Sequence, residues 1–277
     1  MRIDAHQHFW SYDPVTYDWI GPGMEVLARD FLPAHLLPEL ESQAMDGAIC
    51  VQARHDEDET RWLLELAGAT PQLLGVVGWT DLCAENIDQR LSQLMQNPLL
   101  LGLRHVLQDE SDDRFMLRPD FLNGIACLAK HGRVYDLLLH PRHLAPAVEL
   151  VDLAPDQAFV LDHLGKPRIK DGVHEPWGKD LEQLAQRPNV ACKLSGLVTE
   201  ADWANWTAAD LVPYLDRALE AFGHERLLFG SDWPVCTLAG TYQQIHQVLS
   251  DWASALTPGE QAALFGTNAE RIYLNPC

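Results

Sequence analysis

The segment Ala158-Phe159-Val160-Leu161-Asp162-His163 is a short apolar run that ends in two polar residues. A second run of the same kind, Leu227-Leu228-Phe229-Gly230-Ser231-Asp232, lies near the end of the chain. Short runs that are apolar on both faces are typical of strands buried in a parallel sheet. The two segments therefore predict buried strands, each with polar side chains at its carboxyl end.

The same pattern recurs along the whole chain. Its starts lie 46, 26, 26, 34, 24, 32 and 37 residues apart, close to the roughly 30 residues or more that a strand and its crossover helix occupy. The predicted strands are Arg2–His8, Ala48–Ala53, Leu74–Thr80, Leu100–Val106, Val134–His140, Ala158–His163, Val190–Ser195 and Leu227–Asp232.

Helical periodicity fills the intervals between these strands. Thr207 and Thr257 are followed at the third position by Asp210 and Glu260, which predicts an N-cap at each threonine. The predicted helices include Thr60–Ala69, Glu85–Met95, Asp120–Lys130, Pro146–Leu153, Leu181–Gln186, Asp210–Phe222 and Tyr242–Leu256.

Eight strands that alternate with eight or nine helices predict an α/β fold, the (β/α)8 TIM barrel, as a single domain over residues 1–277. An open, doubly wound sheet is the alternative, but no G-x-G-x-x-G follows a strand. The segments Trp10–Leu32 and Lys166–Gly178 are longer than a barrel needs, and long loops in compact domains often serve as lids or binding loops.

The charge of the chain excludes several classes of partner. Asp and Glu number 40 against 20 Lys and Arg, a net charge of −20, so we expect no nucleic acid and no anionic membrane as partner. The six cysteines form no C-x-x-C pair and Met1–His6 leads into no apolar signal region, which predicts reduced thiols and a cytoplasmic protein. A homo-oligomer is compatible with these features.

Candidate catalytic residues lie at the predicted carboxyl ends of the strands, where barrel enzymes place their active sites. His6 and His8 are two residues apart and would project from one face of the first strand. His163 and Asp232 end the sixth and eighth strands. Together these four side chains form the N and O donor set that zinc or a similar cation prefers.

This set of residues suits hydrolysis. Asp232 can take a proton from water while imidazoles or a metal orient that water, and Arg104 can bind the carbonyl oxygen that is attacked. Asp162 precedes His163 and is expected on the opposite face, turned toward a helix. Further candidates for binding the substrate are Gln52, Trp79, His140, Lys193 and Trp233.

Four motifs resemble the branch of the amidohydrolase superfamily that hydrolyses sugar lactones, in particular L-fuconolactonases and L-rhamnonolactonases. They are Asp4-Ala5-His6-Gln7-His8-Phe9-Trp10, Asp162-His163-Leu164-Gly165-Lys166-Pro167, Cys192-Lys193-Leu194-Ser195-Gly196-Leu197 and Phe229-Gly230-Ser231-Asp232-Trp233-Pro234. The resemblance implies a barrel that opens an aldonolactone, with His6, His8 and His163 matching the superfamily's histidines and Asp232 its general base.

The resemblance also limits the metal content. Binuclear members of the superfamily use a bridging Lys or Glu on the fourth strand, where this chain has Arg104 and His105. Related lactonases work without a required metal. We therefore expect either no required cofactor or one divalent ion, with zinc first, held by His6, His8, His163 and Asp232.

The expected substrate is a small neutral molecule, L-fuconolactone or a similar deoxy-sugar or pentose lactone, because aromatic and amide groups near the strand ends suit a polyol. The first alternative is a lactonase for carboxylated lactones of the pyrone or muconolactone type, or a related decarboxylase, for which Arg54, Arg142, Arg168 and Lys170 would supply cationic contacts. The second is a sugar- or metal-binding protein without activity, which the complete set of histidines and aspartate disfavours. A serine nucleophile is disfavoured because no G-x-S-x-G motif is present.

Overall fold

A computed structural model describes residues 1–275 of the chain. Eight parallel strands form one sheet in which each strand pairs with the next along the chain. The strands are β1 (Ile3–Gln7), β2 (Gly47–Val51), β3 (Leu73–Gly78), β4 (Leu100–His105), β5 (Val134–Leu137), β6 (Phe159–Leu161), β7 (Val190–Leu194) and β8 (Leu227–Phe229).

A helix follows every strand, and an additional short helix lies after the last one. The helices are α1 (Pro33–Ser42), α2 (Glu57–Ala69), α3 (Ile87–Leu94), α4 (Pro119–Ala129), α5 (Leu144–Leu153), α6 (Trp177–Ala185), α7 (Ala208–Phe222), α8 (Tyr242–Ala253) and α9 (Pro258–Ala262). Both predicted N-caps are present: the backbone N–H groups of Thr207 and Thr257 donate to Asp210 and Glu260 at 2.7 and 2.8 Å.

The sheet closes between β1 and the segment that follows β8. His8 N–H donates to the carbonyl of Trp233 at 2.7 Å, and Asp232 N–H donates to the carbonyl of His6 at 2.9 Å. The buried Asp4 accepts the backbone N–H groups of His6 and Ser231 at 3.1 and 2.9 Å. These bonds join β1 to the segment after β8, next to the candidate residues His6, His8 and Asp232.

The fold buries two apolar layers. A smaller cluster fills the barrel interior with one or two side chains from each strand, Ile3 and Val160 among them, and Tyr273 from the end of the chain packs into it. A larger cluster lies between the strands and the surrounding helices. Each strand is thus apolar on both faces, as a buried parallel strand must be.

The predicted (β/α)8 barrel is confirmed, and all eight strands begin within one residue of their predicted starts. Their carboxyl ends were placed one to three residues too late. β5, for example, ends at Leu137 and β8 at Phe229, because the polar residues that follow turn away from the sheet to form the site.

The described cysteines Cys50, Cys83, Cys127, Cys192 and Cys236 are free thiols, and Cys277 lies outside the described residues. Among residues 1–275 no helix combines the length and the apolar character needed to cross a membrane.

Candidate active site

A cavity of about 820 Å³ opens at the carboxyl ends of the strands. Its floor contains four of the predicted residues, His8, Arg104, His163 and Asp232. The wall comes from the loops after the strands: Thr16, Asp18, Trp19, Met24, Ala53, Arg54, His55, Asp56, Val106, Gln108, Asp109, Glu110, Leu138, Lys166, Thr199, Glu200, Trp203, Val235 and Leu238. The long loop before α1 contributes to this wall, and the predicted loop from Lys166 contributes its first residue.

His6, His8 and Asp232 converge at the floor, with the fully buried His6 just beneath the residues that line the cavity. The Nε2 atoms of His6 and His8 lie 3.2 Å apart, and Asp232 Oδ1 lies 3.8 Å from the first and 3.4 Å from the second. His8 Nδ1 lies 2.8 Å from the carbonyl oxygen of Val51, which can only accept, so this nitrogen carries the proton. In neutral His8, Nε2 therefore presents a lone pair to the cluster.

This donor set fits one divalent metal ion. One ligand atom from each of His6, His8 and Asp232 lies within 4.8 Å of the others, and all three residues are buried. Imidazole nitrogens and a carboxylate oxygen are ligands that zinc accepts. The structure places His163 in a second such group with His6 and Asp162, so the four predicted ligands and Asp162 form two overlapping trios that share His6.

The expectation for Asp162 was wrong. Its side chain is buried in the barrel interior, 3.0 Å from Arg104 Nη1 and 3.3 Å from His6 Nδ1. Val160, two residues earlier, also faces inward, so Asp162 continues the inward face of the strand. His163 reaches the same site because its backbone is left-handed, with φ 54°, which turns its side chain back toward the cavity.

Beneath the floor lies a compensated group of four charges. Lys193 Nζ is 2.5 Å from Asp136 Oδ2 and 3.0 Å from Asp162 Oδ1, and Arg104 pairs with Asp162. Tyr273 donates to Asp136 at 2.6 Å. Lys193 is fully buried, so the structure places it below the cavity, where its ammonium also lies 3.2 Å from His6 Nδ1.

Arg104 reaches the cavity but directs most of its donors into the protein. Its Nη2 donates to both the carbonyl and the side-chain oxygen of Gln52, and Nη1 donates to Asp162. Gln52 is fully buried. Gln52 and Arg104, two of the predicted substrate-binding residues, thus lie together. Arg104 brings positive charge to the floor, and Gln52 holds its guanidinium in place.

Like Gln52 and Lys193, the other predicted binding residues lie outside the cavity lining. Trp79 packs behind the wall and donates from Nε1 to His105 Nδ1 at 3.2 Å. Trp233 is buried in edge-on contact with Phe9 and Phe31. His140 is half-buried beside Lys166 and Arg142. Binding roles for these residues stay predictions.

The electrostatics of the floor keep Asp232 ionised. Burial alone would raise the pKa of this carboxyl, but the surrounding imidazoles of His163, His8 and His6 together hold the pKa below its ordinary value. Burial lowers the pKa of His163 to about 4 although Asp232 opposes this shift. At neutral pH the floor therefore presents a carboxylate beside the neutral imidazole of His163.

The sequence did not indicate several of the residues that line the cavity, because they lie in loops beyond the strand ends. Trp19 comes from the loop before α1, and Glu200 and Trp203 follow β7 by six and nine residues. His55 follows the already noted Arg54 by one residue. The one available signal was the length of the first loop, which contains Trp19.

Gly196 is required beside His163. It has φ +64°, and a Cβ at this position would lie 2.5 Å from His163 Nδ1. We expect Gly196→Ala to destabilise the fold by about 1–2 kcal/mol through the left-handed backbone and to reduce kcat/KM at least tenfold by displacing His163. Urea unfolding and steady-state turnover of a lactone would measure the two effects.

Gly132→Ala is the matched control. Gly132 has φ +62°, and nothing lies within 4 Å of its ideal Cβ. This variant should lose similar stability and keep its turnover. Equal turnover in the two variants would contradict a role for the position of His163.

Comparisons with known proteins agree with this geometry. The amidohydrolase family profile matches residues 3–274. An L-fucono-1,5-lactonase of Burkholderia multivorans is 46% identical over 288 residues, covering 100% of this chain and 97% of that protein. An L-fucono-1,5-lactonase of Burkholderia ambifaria is 36% identical, covering 99% and 95%.

A solved structure is similar over the same extent. The crystal structure of an amidohydrolase from Burkholderia multivorans with bound Zn superposes with a TM-score of 0.96 at 44% identity, covering 99% of each chain. The resemblance that the four motifs indicated is therefore confirmed: the chain belongs to the amidohydrolase family.

Proposed function

We propose that this protein is a lactonase that opens a neutral sugar lactone, L-fucono-1,5-lactone first, to the sugar acid. The observation that carries the proposal is the convergence of His8 and Asp232 at the floor of an open cavity with His6 directly beneath them. The names of the two Burkholderia relatives supply the substrate class.

The chemistry follows from the positions of the floor residues. Water in the cavity next to Asp232 gives a proton to its carboxylate while the oxygen attacks the lactone carbonyl carbon. Negative charge then develops on the carbonyl oxygen, and the Arg104 guanidinium at the same floor favours it electrostatically. When the bond to the ring oxygen breaks, Asp232 returns the proton to that oxygen, so one water is added overall.

His6, His8 and Asp232 are the residues that would hold a divalent ion, zinc by the nature of its ligands and by the structure of the Burkholderia multivorans relative. When bound, such an ion would polarise the lactone carbonyl and favour deprotonation of water. Lys193 and Asp162 next to His6 Nδ1 would fix the orientation of its ring.

The charges around the cavity favour a neutral substrate. Six carboxylate residues line it, Asp18, Asp56, Asp109, Glu110, Glu200 and Asp232, against the cations Arg54, Arg104 and Lys166. Arg54 lies 3.1 Å from Asp56, and two of the other cations considered for carboxylated substrates, Arg142 and Arg168, pair with Asp113 and Asp171. The excess of negative charge disfavours a dicarboxylate and would repel the sugar acid once formed.

The pH profile should have a single acidic limb. Because the pKa of Asp232 lies below its ordinary value and that of His163 is about 4, both groups stay in their active forms above that range. We expect kcat/KM to be flat from about pH 8 to about pH 5 and to fall only near pH 4 and below. Proton NMR of lactone and acid would measure this at each pH; an acidic limb centred near neutrality would contradict the assignment.

A proton-release assay tests the proposed function. L-fucono-1,5-lactone, L-rhamnono-1,4-lactone and a 2-pyrone-4,6-dicarboxylate would be compared with and without prior treatment with a chelator. The proposal expects turnover of the neutral sugar lactones and none of the dicarboxylate. Turnover of the dicarboxylate alone would overturn it. Loss of turnover on chelation that zinc restores would assign the ion a required role.

We propose the cytoplasm, a reducing compartment, as the location of the protein, because the described cysteines are free thiols. Association into a homo-oligomer stays a prediction, and analytical ultracentrifugation would test it.

A further inference from the structure

His55 is a cavity residue with one ring nitrogen already engaged. The backbone N–H of Val106 donates to His55 Nε2 at 2.7 Å, which requires a lone pair on that nitrogen. A neutral imidazole with a lone pair on Nε2 carries its proton on Nδ1. The backbone of the segment after β4 therefore selects the tautomer of a side chain that comes from the loop after β2.

The ring of His55 is also held on its faces. It stacks against Trp79 with ring centroids 5.3 Å apart and planes 14° from parallel, and it packs against His105 at 4.0 Å. Trp79 donates to Nδ1 of His105, and His105 donates from Nε2 to Glu110 at 2.7 Å. This aromatic group fixes the orientation of His55 as well as its tautomer.

The remaining polar atom of the ring is free to bond a ligand. His55 is exposed and lines the cavity beside Arg54 and Arg104, and within residues 1–275 no protein group is hydrogen-bonded to its Nδ1. Partial desolvation lowers the pKa of His55, which favours the neutral ring whose Nε2 accepts the N–H of Val106.

We propose that His55 is a specificity-determining residue whose Nδ1–H donates a hydrogen bond to one ring hydroxyl of the lactone. This inference rests on the proposed function. A donor whose tautomer and orientation are fixed before binding loses little entropy when it bonds, and it favours a substrate that offers an oxygen at that place. His55 would thereby select a hydroxylated lactone over one that lacks that hydroxyl.

Deletion of the hydroxyl from the substrate and of the donor from the enzyme tests the inference. The substrates are L-fucono-1,5-lactone and its 2-, 3- and 4-deoxy analogues, and the variants are His55→Phe, which keeps a stacking ring, and His55→Asn, which keeps a donor near Nδ1. We expect His55→Phe to lower kcat/KM on the parent lactone about five- to tenfold. On one deoxy analogue it should have no effect, because the contact is already absent there.

The remaining outcomes separate the two proposals. His55→Asn should recover part of the discrimination against that one analogue. Nitrogen-15 NMR of the free protein should show Nδ1 protonated and Nε2 unprotonated. Equal losses on all four lactones, no loss on any, or the opposite tautomer would overturn the inference alone. If the wild-type protein opens none of the four lactones, the proposed function fails and the inference falls with it.

Discussion

Asp232→Asn should lose most of its lactonase activity while keeping its fold. In the proposed mechanism the carboxylate accepts the proton of the attacking water, and an amide cannot take that proton. General-base catalysis is typically worth 10²–10⁴-fold, so we expect kcat to fall about a thousandfold. Steady-state turnover of L-fucono-1,5-lactone and far-ultraviolet circular dichroism would measure activity and fold on the same preparation.

Asp58→Asn is the control for this substitution. Asp58 lies on α2 with its side chain 85% exposed, paired with Arg61, so its loss should leave turnover within about twofold. An Asp232→Asn protein that retained near-normal turnover would refute the assignment of the base.

Lys193→Met should destabilise the protein severely. Lys193 is the cation between Asp136 and Asp162 in the closed interior of the barrel. Its removal leaves two buried carboxylates with the guanidinium of Arg104 beside one of them. Removing one partner of a buried ion pair typically costs about 3–5 kcal/mol, and urea unfolding would measure that loss.

A second substitution separates the charge from the packing. Asp136→Asn in the Lys193→Met background removes one of the stranded carboxylates, so the double variant should be more stable than the single one. Lys130→Met, at an exposed lysine paired with Asp88 at 3.5 Å, should change stability by less than about 1 kcal/mol. A Lys193→Met protein as stable as this control would contradict the inference that Lys193 neutralises the buried carboxylates of Asp136 and Asp162.

The fold could be predicted because barrel strands leave a strong pattern in sequence. Val190–Leu194 and Leu100–His105, for example, are short apolar runs at the spacing of a strand and a helix, and their starts matched. The carboxyl ends could not be placed as well. Residues such as His140 and Asp232 follow their apolar runs closely in sequence, yet they have left the hydrogen-bonded ladder.

The site could be predicted in part for the same reason. His6, His8, His163 and Asp232 meet because parallel strands bring their carboxyl ends to one edge of the barrel. The direction of Asp162 could not be predicted by alternation from His163, since the left-handed backbone at His163 reverses the side of that residue. Local backbone conformation of this kind depends on the tertiary contacts of the loop.

The residues of the cavity wall were the hardest to predict from the sequence. Trp19, Glu200 and Trp203 lie in loops whose paths no periodic pattern describes. His55 becomes informative only when Val106, 51 residues away, is seen to hold its Nε2. Contacts between distant loops therefore decide which side chains line the wall, whereas strand ends decide which lie at the floor.

The proposed lactonase activity is tested most directly by the initial rate at which the purified wild-type protein opens L-fucono-1,5-lactone at neutral pH. Proton release measures this rate against the enzyme-free rate. We expect saturable turnover with kcat/KM on the order of 10⁴ M⁻¹s⁻¹ or higher. A rate no faster than spontaneous opening, in protein that is folded and supplied with zinc, would contradict it.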